Sequence, residues 1–206
     1  MKLPVLPTIV VGLAVATMIA LGVWQLQRKA EKEALIALYS ANAAKPPIAF
    51  PDTAPVRDSE MFRKSKLNCL EVVEWQTVSG RDIEGRSGFQ YIADCSTGPE
   101  GPGALVSIGI ADRPDLKPAW KGGIVSGTVI TEPSRYNIIE RTFGVIPVPL
   151  PMIVADEPVE GMRAVAQPDP RNVNNNHLSY AMQWFFFAAA ATVIYLLALR
   201  RRQTVR

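Results

Sequence analysis

Two uninterrupted apolar runs, one toward each end of the chain, constrain this sequence more than any other feature. No charged side chain occurs from Leu3 to Gln27, and the stretch "TIVVGLAVATMIALGVWQL" inside that window supplies the roughly 20 apolar residues that cross a hydrocarbon core of about 30 Å as helix. A second run extends from Leu178 to Leu199. Both are expected to be transmembrane helices, at 8–27 and 178–199, with everything between them on one side of a bilayer. Lys2 followed by an apolar run, with "AVA" at 14–16, also resembles a cleaved signal peptide. Cleavage there would leave a short apolar segment, and the run continues through Trp24 with no polar region before the cut, so an uncleaved anchor is expected.

Charge sets the expected orientation. The second run ends in "LRRRQTVR", where Arg200, Arg201, Arg202 and Arg206 carry no acidic neighbour. The positive-inside rule then places residues 200–206 in the cytoplasm, and Lys2 places residues 1–7 there too. Residues 28–177 form the expected periplasmic segment. The net charge of +3 comes from these tails, because without Lys2 and the four terminal arginines 17 basic residues face 19 acidic ones. The basic balance therefore reports membrane orientation, and no nucleic-acid surface is implied.

Between the runs the pattern changes twice. "QRKAEKEALIALYSANAAKPP" has Leu35, Leu38 and Tyr39 at helical spacing and reads as an extension of the first helix over 28–45, stopped by Pro46 and Pro47. From Phe62 to about residue 165 short β-like runs alternate with turn residues: "KLNCLEVVEWQTVSG", "FQYIADC", "ALVSIGIA", "GIVSGTVI", "RYNIIER" and "PMIVAD". The expected fold class is a membrane protein with two transmembrane α-helices flanking a mostly β (α+β) periplasmic domain, its strands a largely antiparallel sheet or barrel. "GPEGPG" reads as a turn and not a phosphate cradle, since proline removes donors and no Lys-Ser/Thr follows. Cys69 and Cys95 can pair in an oxidising compartment, which would contribute about 3 kcal/mol, but the sequence leaves their separation open. They lack the spacing and histidine neighbours of a metal site.

The sole histidine, His177, stands where "DPRNVNNNHL" leads into the second run, with Asn175 or Asn176 as candidate N-cap. Antiparallel spans bring the end of the first and the start of the second to the same depth. Polar Gln25 and Gln183 would be costly in lipid and are expected to face the helix partner, a ligand or the interface. Gly22 permits close approach. Helical spacing puts His177, Tyr180, Ala181 and Trp184 on one face, and Leu21, Gln25, Arg28 and Lys32 on one face of the other span. An imidazole, an aromatic wall and a guanidinium at one rim suit haem: a nitrogen lone pair for iron, apolar cover for the macrocycle, and Arg28 for a propionate. The same residues also read as an interfacial aromatic belt of Trp24, Tyr180 and Trp184 with a snorkelling arginine. An enzyme is not expected. There is no G-x-S-x-G and no Cys-His neighbourhood, and Glu71 and Glu74 read as solvated strand positions.

"LGVWQLQRKAEKEALI" resembles the G-x-W-Q-x-x-R-x-x-x-K signature that follows the first span of the Surfeit locus protein 1 family. "NHLSYAMQWFFFA" resembles the N-H-L-x-Y-A-x-Q-W-F start of that family's second span, and "FRKSKLNC" is similar to its aromatic-Arg strand. The resemblance covers essentially the whole chain. It implies a biogenesis factor for haem-copper cytochrome c oxidase in a bacterial inner membrane, acting on haem a delivery from the haem a synthase to subunit I. His177 falls at the position implicated in haem a binding; Gly22, Trp24, Gln25, Arg28, Tyr180, Gln183 and Trp184 fall on signature positions. An assembly scaffold without cofactor remains the alternative, and a second copy of the chain stays open as a source of another axial ligand. The family's R-G-W-V-P element is missing from "ALVSIGIADRPD", which weakens any inference about a partner surface on the outer domain. No Arg/Ser-rich transit segment precedes the first run, so a bacterial member is expected rather than a mitochondrial one.

Overall fold

The computed structural model describes residues 4–51, 53–98, 103–133, 144 and 148–204. The expected strand "RYNIIER" and most of the "GPEGPG" turn lie outside them. The described chain forms two compact units, one of residues 1–35 with 173–206 and one of residues 36–172.

The first unit is a pair of helices. Helix α1 runs without interruption over Val5–Ala43 and helix α2 over His177–Thr204. Both pass the length and hydropathy of a membrane span, with mean hydropathy 2.3 and 1.8, and in each apolar window only 6% of the residues are buried. A core helix of a water-soluble protein hides such a window. Here Leu6, Leu13, Phe186 and Ile194 are among many large apolar side chains left outside, as a lipid solvent permits. What is buried follows one seam per helix. Gly22 on α1 and Ala181 and Ala188 on α2 are the closed positions, all small, so the backbones approach where side chains are least bulky. Thr8 and Tyr195 share a hydroxyl–hydroxyl hydrogen bond farther along the pair.

The second unit begins with the last turns of α1, held by Tyr39 and Asn42. The Asn42 side chain, fully buried, donates to the carbonyls of Asp58 at 2.8 Å and Met61 at 3.1 Å. The Tyr39 hydroxyl donates to Asp58 at 2.7 Å while its ring lies 5.0 Å from Phe62. Among the described residues seven strands follow: β1 Ile48–Ala49, β2 Lys64–Cys69, β3 Glu71–Arg81, β4 Ser87–Ser96, β5 Ala104–Ala111, β6 Gly123–Thr131 and β7 Pro151–Ala155. The expected strand beginning at "KLNC" is thus two ladder segments that meet at Leu70. The sheet order is β1-β2-β6-β7-β5-β4-β3. It is mostly antiparallel, as expected, but mixed: β1 pairs with β2, and β5 with β7, in parallel, while the other four neighbouring pairs are antiparallel.

Four interstrand steps separate β2 from β4, about 19 Å in a flat sheet. Yet Cys69 of β2 and Cys95 of β4 form a disulfide with their Cα atoms 5.3 Å apart. The sheet must therefore curl, and β2 runs through Leu70 directly into β3, which pairs with β4. One bent strand thereby serves both ends of the order. Alternation along β4, β5 and β7, offset once by the register shift at Tyr91/Ile92 opposite Gly109 and Ser107, sorts the core into two clusters: Leu67, Tyr91, Val106, Ile108 and Ile153 with the disulfide in one, and Ile92, Leu105, Ile110, Met152 and Val154 in the other. All of β5 and all of β7 are buried, as expected of central strands covered on both faces.

Asp82, just past β3, is 1% exposed. Its carboxylate accepts from the backbone amides of Glu84 at 3.0 Å and Arg86 at 2.9 Å, from Arg86 Nε at 2.8 Å and from Arg163. Burial pushes this carboxyl up, but the hydrogen bonds from Arg86 and Arg163 outweigh it and hold its pKa at about 2, below the ordinary 3.8. A depressed carboxyl contributes stability that is fully present above the unfolded value and lost as pH falls through the folded one. The detergent-solubilised protein should therefore lose stability between about pH 4 and pH 2, and Asp82→Asn should unfold roughly 5–10 °C lower at neutral pH and lose most of that acid dependence. Thermal unfolding of both proteins across pH checks it. Asp94 works in the opposite sense, since burial, with Glu74 and Glu132 nearby, raises its pKa.

Candidate functional site

Helix α2 starts at His177 because the preceding Asn-rich segment supplies non-helical backbone; the carbonyl of Asn176 accepts from the amide of Tyr180 at 3.3 Å. The expected side-chain cap is not formed. Neither asparagine side chain bonds a first-turn amide, and Asn175 Oδ1 is a buried acceptor without a partner. In the first turn of α2 the imidazole of His177 meets Gln25 of α1, with Nδ1 2.7 Å from Oε1. Among the described residues Nε2 makes no hydrogen bond, and the ring is half-buried.

Gly22 sits one turn before Gln25 and faces Phe185. A Cβ there would stand 2.5 Å from Phe185 Cε1. The ring tip can swing away from a methyl group, so Gly22→Ala should retain the pairing; a branched side chain has no such room. Gly22→Leu is expected to separate this part of the helix pair and break the Gln25–His177 bond. Loss of the hydrogen-bonded imidazole signal in ¹⁵N-histidine spectra of the detergent-solubilised protein checks it, with Gly22→Ala as the control.

The remaining expected site residues divide. Trp184 is half-buried, with Phe187 edge-on at 6.4 Å, and forms an aromatic cover one turn past the buried Ala181. Tyr180 and Trp24 are each 50% exposed and stand outside the seam. Gln183 is exposed, which fits an interface or a ligand among its three expected surroundings. Arg28 is also off the seam. Its guanidinium pairs with Glu31 on its own helix, and the side chain is 47% exposed. The geometry thus brings together His177, Gln25 and Gly22 with Trp184 alongside, and leaves Arg28 and Tyr180 at the surface, free to reach a ligand only by changing partner or rotamer.

Two features of the β unit had no sequence signal. Adjoining depressions of about 560 and 240 Å³ share Asp112 and are lined by Gly80, Gly88, Phe89, Leu116 and Arg163 among others. Arg163 is already committed to Asp82 and Asp112. Among the described residues no group of three His, Cys, Asp or Glu side chains could hold a metal ion.

Two long apolar helices at either end of a mixed-sheet α+β domain, with a half-buried polar pair between the helices, define a two-span membrane protein. The chain matches the SURF1 family over residues 12–189 and belongs to it. That family is associated with cytochrome c oxidase assembly and is a family of assembly factors rather than catalysts. The comparison with curated proteins finds no match.

Proposed function

We propose that this chain is a cytochrome c oxidase biogenesis factor of a bacterial inner membrane that binds haem a beside His177 and assists its insertion into subunit I. The observation that carries the reading is the state of the only imidazole: it is half-buried, Nδ1 is engaged, and among the described residues Nε2 has no hydrogen-bond partner. The residues present fit the group. Nε2 offers a lone pair of the kind haem iron accepts, Trp184 and Phe187 offer apolar cover, and the unpartnered Asn175 Oδ1 can take a hydrogen bond from a ligand donor. Arg28, on the same unit, supplies the cation for a propionate once it leaves Glu31.

A single axial bond suits a carrier, because the cargo must leave. The protein would accept haem a from the membrane-bound synthase and yield it to apo-subunit I, with both termini cytoplasmic, as Arg200, Arg201 and Arg202 favour, and residues 28–177 periplasmic. One observation favours the scaffold alternative. Gly22, Gln25 and His177 all have helix-pairing roles that need no cofactor. Visible absorption of detergent-purified protein from haem a-producing cells separates the two readings. A Soret band supports the carrier, and its absence at every haem supply leaves the scaffold.

A further inference from the structure

We infer that Gln25 is a positioning residue that holds His177 as the Nδ1–H tautomer and so leaves the lone pair on Nε2; the inference deepens the haem reading and gives Gln25 a role through the imidazole rather than at the cofactor. An amide oxygen only accepts, and Gln25 Oε1 lies 2.7 Å from Nδ1. In a neutral ring Nδ1 must then carry the proton, and Nε2 is the basic nitrogen. Free histidine prefers the opposite tautomer, with the proton on Nε2, which would turn that nitrogen into a donor and remove it as a ligand. The protein thus reverses an intrinsic preference at its only imidazole.

The surroundings make this a built arrangement. Gln25 is half-buried on the seam of α1, three residues after the closed position Gly22, whose lack of a side chain lets the two backbones come near enough for the amide to reach the ring. Gln183, the other glutamine of the two motifs, is on the exposed side of α2 and touches no imidazole. In protein metal sites the ring nitrogen that does not bind the metal donates to an oxygen, which fixes the tautomer and raises the basicity of the ligating one. Gln25 and His177 stand in the same relation.

Because the chain has one histidine, ¹⁵N-histidine labelling reads this residue without assignment. In long-range ¹H–¹⁵N correlation spectra of the full-length apo protein in detergent, at about pH 8, above the ordinary imidazole value, the wild type should show the Nδ1–H pattern. Gln25→Leu should move the Nδ1–H to Nε2–H ratio roughly tenfold toward Nε2–H, the change that losing about 1.4 kcal/mol produces. Gln183→Leu should leave the spectrum unchanged. Helix content by circular dichroism shows that each variant folds. In haem-loaded ferrous protein the iron–histidine stretch should fall in Gln25→Leu and rise in Gln25→Glu, whose carboxylate accepts more strongly. A wild-type Nε2–H pattern, or an unchanged ratio in folded Gln25→Leu, overturns the inference. Failure to load haem while the apo spectra behave as stated overturns the haem reading and leaves the tautomer assignment standing.

Discussion

His177→Ala is expected to abolish the Soret band of protein purified from haem a-producing cells. The chain has no other imidazole to substitute, and among the described residues no acidic or thiol cluster offers an alternative set of ligands. The loss should therefore be complete rather than graded. Arg28→Ala should behave differently. Its ion pair with Glu31 is exposed, and such pairs contribute about 0–1 kcal/mol, so folding should be untouched. If Arg28 turns to a propionate, its loss removes a charge-assisted contact of about 1.5–3 kcal/mol, which weakens haem affinity roughly 10- to 100-fold with the band position unchanged. Haem titration of the two variants by absorbance reads both outcomes. A full Soret band in His177→Ala would reject the imidazole as ligand.

The second large effect concerns the β unit. Opening the Cys69–Cys95 disulfide should cost about 3.5 kcal/mol in the chain-entropy account, given the 26-residue separation of the two cysteines. The bridge lies in the core, with both cysteines at most 1% exposed. Beside it the amide of Leu70 donates to Ser96 at 2.9 Å, so the covalent link and the ladder close the same corner. Urea unfolding of the detergent-solubilised chain with and without reductant should show a lower midpoint when reduced. The Cys69→Ala/Cys95→Ala double variant should match the reduced protein. Equal midpoints in oxidised and reduced protein would show that the ladder alone holds the corner.

The helices and most strands were legible because their signals are local. An unbroken apolar run followed by "RKAEKEALI" specifies a helix through Ala43, and "ALVSIGIA" is strand β5 residue for residue. The parallel β5/β7 pairing was hidden, since strand order is set by contacts far apart in sequence. The pairing of Cys69 with Cys95 is not legible for the same reason, as it depends on a curl that no local pattern records. At the candidate site, face arithmetic placed Gln25 and His177 on converging stripes, and they do meet. It placed Arg28 there too, but the nearer Glu31 competes for that guanidinium one turn away on the same helix. Which of the three expected surroundings Gln183 takes is not legible, because a glutamine in an apolar run shows its cost and not its direction.

Strand β7 is the last strand to be synthesised and yet occupies the middle of the sheet, between β6 and β5. Without Pro151–Ala155 the order falls into two triplets, β1-β2-β6 and β5-β4-β3, joined through the bend at Leu70 and each with a bare inner border. Hydrogen-bonding groups that end in the middle of the sheet are meanwhile available to any neighbouring chain. A chain stopped before residue 150 is therefore expected to offer those borders for misassembly, and the five residues of β7 fill the gap between them.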